Sequence, residues 1–148
     1  LLAVILTDID GCVSSSSIPV VINARTDGYM LGSDKDMFDE TVLRSNAYLK
    51  AGADCAFVIG VRNRELIARL VEDINGPLNV LAGPGSPTVS ELQEIGVSRV
   101  TVGGNIAKAA YSLVKKAANE LKGLGTYEFA SGIYSQPEMH RIIKGERS

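Results

Sequence analysis

The sequence predicts an α/β fold, a parallel sheet made by successive β/α units. Three observations carry the expectation. Short β-branched apolar runs alternate with helical stripes; polar residues gather at the carboxyl ends of the runs; and the phrases AGADCAFV and EIGVSRVTV repeat helix, glycine stop and strand in one phase. At 148 residues, with 45% apolar and 22% charged positions, the chain is expected to bury one core and form one domain over 1–148.

Ala3 to Thr7 reads as a buried strand closed by Asp8, Asp10 and Gly11, and Val20 to Ala24 as a second, opened by Pro19 and ending in Arg25, Thr26, Asp27 and Gly28. A helix capped by Asp34 or Asp36 then runs to about Lys50, with Phe38, Val42, Ala47 and Leu49 as its apolar stripe and Gly52 as its stop. The unit then recurs: strand Cys55 to Ile59, helix Arg64 to Ile74, strand Leu78 to Leu81, helix Thr88 to Ile95, strand Arg99 to Val102, and a long helix from about Ile106 to Leu121. A last helix, Gln136 to Lys144, follows a Gly/Tyr/Ser-rich stretch expected to be loosely ordered. Only about ten residues separate the Asp8 strand from the Val20 strand, too few for a parallel crossover. Two architectures fit the pattern. A (β/α)8 barrel normally needs ~200 or more residues, which leaves this chain about three units short, whereas an open doubly wound sheet fits the length.

Interspersed charge summing to -2 leaves no footprint for nucleic acid or an anionic membrane, and no run approaches the length of a membrane span. Cys12 and Cys55 lack metal-ligand spacing, and Cys55 lies in an apolar run, so a reduced, cytoplasmic setting is the expectation. The chain opens on Leu1 in strand-like sequence, which suggests that something upstream is missing.

In parallel α/β folds ligands bind beyond the carboxyl ends of the strands, so the polar residues there are the site candidates. Arg25 offers a bidentate donor for a carboxylate or phosphate; the bland reading is a salt bridge to Asp8, Asp10 or Asp27. Asp8 and Asp10, at i and i+2, share a strand face, a spacing that lets two carboxylates share a hard cation such as Mg²⁺, although such pairs are also common in turns. The AGPGSPT and GGN loops offer backbone N–H groups to an anion, or simply connect elements. His140 reads as a surface residue. No Ser/His/Asp set, zinc spacing or dinucleotide fingerprint occurs.

Taken together, VINARTDGY, YLKAGADCAFV and PLNVLAGPGSPTVSELQEIGVSRVTVGGNIAKAAY resemble the isocitrate lyase/phosphoenolpyruvate mutase superfamily, over about Ile18 to Tyr127. The likeness is nearest to its phosphonomutase-like or oxaloacetate-acting members. It implies an incomplete (β/α)8 barrel that retains the C-terminal units, a Mg²⁺ ion, and cleavage or formation of a bond next to a small α-keto acid such as oxaloacetate, the metal acting as Lewis acid on the enolate oxygen. Arg25 in NARTD matches the arginine that grips a substrate carboxylate. ILTDIDG resembles the metal-bearing strand, which makes Asp8 and Asp10 counterparts of its acidic pair, with the unit between that strand and NARTD absent here. The sequence departs from the lyases in lacking their Lys-Cys-Gly-His loop and in placing Ile59 and Gly60 where lyases carry an acid and phosphonomutases a histidine. An incomplete barrel exposes strand edges, which favours a homo-oligomer. Two other readings stand beside this one. The first is an inactive truncated barrel serving as a binding or assembly module. The second takes ILTDIDGCV for the nucleophile motif of the haloacid dehalogenase phosphatases, a match that nothing downstream supports.

Overall fold

The computed structural model describes residues 20–31 and 37–146. The predicted Asp8 strand, and with it Asp8, Asp10 and Cys12, lies outside them. The described elements run β1 (Asn23–Thr26), α1 (Gly28–Leu31), α2 (Met37–Lys50), β2 (Cys55–Val58), α3 (Arg64–Asp73), β3 (Leu78–Leu81), α4 (Val89–Glu94), β4 (Arg99–Thr101), α5 (Asn105–Gly123), a 3-10 turn (Glu128–Ala130) and α6 (Gln136–Ile143). The expected α/β fold is present: four parallel strands lie in the order β1-β2-β3-β4. A doubly wound sheet reverses direction at a switch point, and a barrel does not. Among the described residues the strands advance without reversal.

The register sorts the side chains into two faces. Arg25 pairs with Phe57, Phe57 with Asn79 and Asn79 with Arg99, so these four share one face; Thr26, Val58, Val80 and Val100 form the next row and point the other way. The second face meets the helices. Ala56, Val58, Leu78 and Val80 pack there with Ile67, Leu70 and Leu92 in one core, and burying these side chains holds the layers together.

Helix ends match the sequence punctuation. After α2, Gly52 takes φ 103°, its N–H bonds Leu49 O at 3.1 Å and that of Ala53 bonds Tyr48 O at 3.0 Å, the paired bonds of a Schellman stop. Gly96 repeats the motif after α4 with φ 89° and 3.0 Å bonds to Gln93 O and from Val97 N–H to Leu92 O. In both places the next strand begins three residues later, at Cys55 and Arg99. Asn63 caps α3 through the Leu66 N–H at 2.8 Å, and Thr88 with Glu91 forms a capping box on α4. Asn46 of α2 donates to Asp73 O at 3.0 Å and accepts from Asn75 N–H at 2.7 Å, tying α2 to the end of α3.

Two sequence expectations need correction. The second strand is Asn23–Thr26 rather than Val20 to Ala24, because pairing with β2 starts at Asn23↔Cys55; Val20 and Val21 are exposed. The polar stretch after it continues into α1, whose first turn closes with Met30 N–H on Asp27 O at 2.9 Å.

Residues 104–146 belong to a second compact unit. Its Gly/Tyr/Ser-rich stretch is more ordered than expected. The Glu120 carboxylate on α5 accepts from Thr126 Oγ1 at 2.7 Å, Glu128 N–H at 2.6 Å and Phe129 N–H at 3.1 Å, which fastens the turn onto the helix. Ser135 and Glu138 form a capping box on α6, and His140 is exposed, as expected. No helix among the described residues is long and apolar enough to cross a membrane.

Candidate functional site

The strand ends of the sheet place Arg25, the loop after β2 and the loop after β3 on the side where parallel α/β folds bind ligands. Arg25 lies within β1 on the face away from the helices and is exposed. Its Nε donates to Asp27 Oδ1 at 2.5 Å and its Nη2 to Asp27 Oδ2 at 3.1 Å. Of the sequence alternatives for a partner, Asp27 is the one among the described residues, and Arg25 is joined to it. These hydrogen bonds hold the Asp27 carboxyl below its ordinary range and raise the arginine further. Thr26, between them, turns into the core at 3% exposure.

Beside the pair lies a cavity of about 410 Å³, lined by Arg25, Thr26, Asp27, Thr41, Arg44 and Tyr48 among others. Arg44 is occupied by Glu40 one helical turn earlier, with Nε to Oε1 at 2.8 Å. The buried Thr26 and Thr41 hydroxyls have no hydrogen-bond partner among the described residues.

After β3 the chain makes a tight turn: Ser86 N–H bonds Gly83 O at 2.9 Å, with Pro84 second and Gly85, at φ 84°, third, the arrangement of a type II turn. Arg62, in the loop after β2, donates from Nη1 to Pro84 O at 3.1 Å and so pins the turn's central peptide. The Gly83 N–H is spent on Ser86 Oγ at 3.1 Å and the Thr88 N–H on Glu91 at 2.7 Å, so these donors of the AGPGSPT loop close the loop on itself.

Sequence reasoning passed over Arg62 and Asn79. Arg62 sits in a strand-end loop, the position by which Arg25 and Asp27 were singled out. Asn79, at 0% exposure and with neither amide atom bonded among the described residues, shares the Arg25 row, and only the register reveals that. Among the described residues no group of three or more His, Cys, Asp or Glu can hold a metal ion. Asp27 and Glu40, the carboxylates that line the cavity among the described residues, are committed to arginines, so this part of the site does not by itself fit Mg²⁺.

Comparison with known proteins gives the site its context. Residues 6–122 match the phosphoenolpyruvate phosphomutase family. The chain belongs to that family. An oxaloacetate decarboxylase of Pseudomonas putida strain GB-1 is 31% identical over 134 residues, which cover 83% of this chain and 43% of the relative. An uncharacterized protein of Mycobacterium tuberculosis strain H37Rv is 39% identical over 84 residues, 57% of this chain and 32% of the relative. The chain therefore spans less than half the length of these curated relatives. Among solved structures, a candidate lyase/mutase from Burkholderia cenocepacia J2315 superposes with a TM-score of 0.83 at 29% identity over 94% of this chain and 50% of the other. A phosphonopyruvate hydrolase complexed with oxalate and Mg²⁺ shares the fold, with a TM-score of 0.71 at 22% identity, over 97% of this chain and 52% of that one. The family resemblance read from VINARTDGY and the later phrases holds.

Proposed function

We propose that the chain acts as a Mg²⁺-dependent lyase, decarboxylase or phosphonomutase-like enzyme on a small α-keto acid such as oxaloacetate. It is built as a single partial (β/α)8 barrel domain retaining the C-terminal units. Arg25 carries the reading. It stands at the ligand end of a parallel sheet, exposed, with a guanidinium that can take the planar carboxylate of such an acid. The likeness to oxaloacetate decarboxylases and the unreversed strand order support it. Asp8 and Asp10 are the metal ligands in this proposal, and no chemical step is assigned to the ion. A homo-oligomer belongs to the same proposal, supported by exposed Ile106, Tyr111 and Val114 on α5.

Titration calorimetry with oxalate, a mimic of the enolate of pyruvate, tests the reading. Expected is binding that needs Mg²⁺ and is lost in Arg25→Ala and in Asp8→Ala. A folded chain that ignores oxalate in both the presence and the absence of Mg²⁺ would refute it.

A further inference from the structure

A guanidinium carries five N–H donors along two edges that each fit a carboxylate, the Nε/Nη2 side and the Nη1/Nη2 end. In this chain Asp27 takes the side edge, with both contacts at hydrogen-bond distance. The end edge is formed by one Nη1 and one Nη2 proton, and among the described residues neither Nη1 nor the second Nη2 proton has a partner.

Both members of the pair are fixed from behind. Arg25 sits in the β1 ladder opposite Phe57, and Thr26, the residue between the two, is locked into the core. The Asp27 backbone is held at its carbonyl by Met30 N–H at 2.9 Å, the first turn of α1. Asp27 stands one residue past the end of β1, and the two contacts place its carboxylate against the Arg25 guanidinium. Arginine is among the side chains that lose most rotamer freedom when a ligand fixes them. A guanidinium already held along one edge has lost that freedom before the ligand arrives.

We propose that Asp27 is a positioning residue for substrate: it grips the side edge of Arg25 so that the other, Nη1/Nη2 edge is presented to the carboxylate of a small keto acid. This rests on the functional reading above and adds to it the residue that aims the anchor. Asp27 does not touch the ligand. Its charge opposes that of the incoming carboxylate, so positioning and repulsion predict opposite results when it is removed.

The test uses the full chain in four forms, unaltered, Asp27→Ala, Asp27→Asn and Arg25→Ala, titrated with oxalate in Mg²⁺. In parallel, ¹⁵N relaxation of the Arg25 Nε is measured without ligand. Positioning predicts that Asp27→Ala weakens oxalate roughly three- to tenfold, the cost of ordering one long side chain at binding. Asp27→Asn, which keeps an acceptor for Nε, should lose less. The Nε should be rigid in the unaltered chain and mobile in Asp27→Ala, and the unfolding midpoint should hardly move, because the pair is exposed. Oxalate binding that is unchanged or tighter in Asp27→Ala overturns the inference while leaving the functional reading intact. No oxalate binding by the unaltered chain overturns the functional reading; the relaxation measurement then still decides the positioning role, which falls if the Nε is as mobile in the unaltered chain as in Asp27→Ala.

Discussion

Replacing Gly60 by alanine tests whether the ends of β1 and β2 are braced against each other. Gly60 follows β2 with φ 96°, and a Cβ there would meet the backbone of Tyr29 at 3.1 Å from its carbonyl carbon and 3.2 Å from its oxygen. Holding a residue with a side chain in left-handed backbone costs about 1–2 kcal/mol, and the loss of unfolded-state freedom on going from glycine to alanine returns about 0.4–1 kcal/mol. Gly85, with φ 84° and open space for 4 Å around the point where a Cβ would stand, isolates this backbone contribution. Gly85→Ala is therefore expected to destabilise by roughly 0.5–1 kcal/mol. Gly60→Ala should cost about 1 kcal/mol more, since Tyr29 main chain has to give way. Urea unfolding of the two variants measures the difference. Because Tyr29 lies two residues after Asp27, Gly60→Ala should also weaken oxalate binding. Equal midpoints for the two variants would refute the bracing argument.

Three further outcomes are expected. Thr88→Ala removes the hydroxyl that accepts from the Glu91 N–H and donates to the Glu91 carboxylate, leaving only the Thr88 N–H on Glu91, and should cost about 1 kcal/mol in urea unfolding, with Thr88→Ser retaining most of the stability. Glu120 is held below the ordinary carboxylate range, chiefly by the Thr126 hydroxyl and then by the Glu128 and Phe129 N–H groups. Because its folded value is the lower one, the stabilisation is present above the ordinary glutamate range and is lost as pH falls through the lowered value. An NMR titration should find the Glu128 and Phe129 amides moving with Glu120, and a midpoint at or above that of free glutamate would contradict the assignment. Cys55 is buried, and burial raises its thiol pKa. In a Cys12→Ser background it should react slowly with a disulfide reagent when native and quickly in denaturant; fast native labelling would contradict the burial.

The strands and α-helices from Cys55 onward were legible in the sequence to within a residue or two because each carries its own punctuation. Leu78–Leu81 follows Pro77, Thr88 announces its capping box, and Gly52 and Gly96 take the backbone that only glycine adopts freely. The Val20 run misled because hydrophobicity locates a buried strand only where a neighbour exists to bury it; pairing begins at Asn23, and Val20 and Val21 face water. At the site, Arg25 was readable from its place at a strand end and from the NARTD phrase. Its partner was not, since spacing allowed three carboxylates, and the contact with Asp27, the one of the three among the described residues, is a property of the folded chain. Asn79 and Arg62 depend on strand register and on a contact between two loops, which are properties of the folded chain.

The shared spacing from Gly52 to Cys55 and from Gly96 to Arg99 acts as a parity rule. In a strand, odd and even positions face opposite ways, so the count from helix stop to first strand residue decides which side chains enter the core. One residue inserted between Gly96 and Arg99 would turn Arg99 and Thr101 toward the helices and Val100 away from them, with composition and helix stop untouched. The loop before β4 thus has little tolerance for single insertions and more for pairs, and its length is as much a part of the site's specification as any side chain within it.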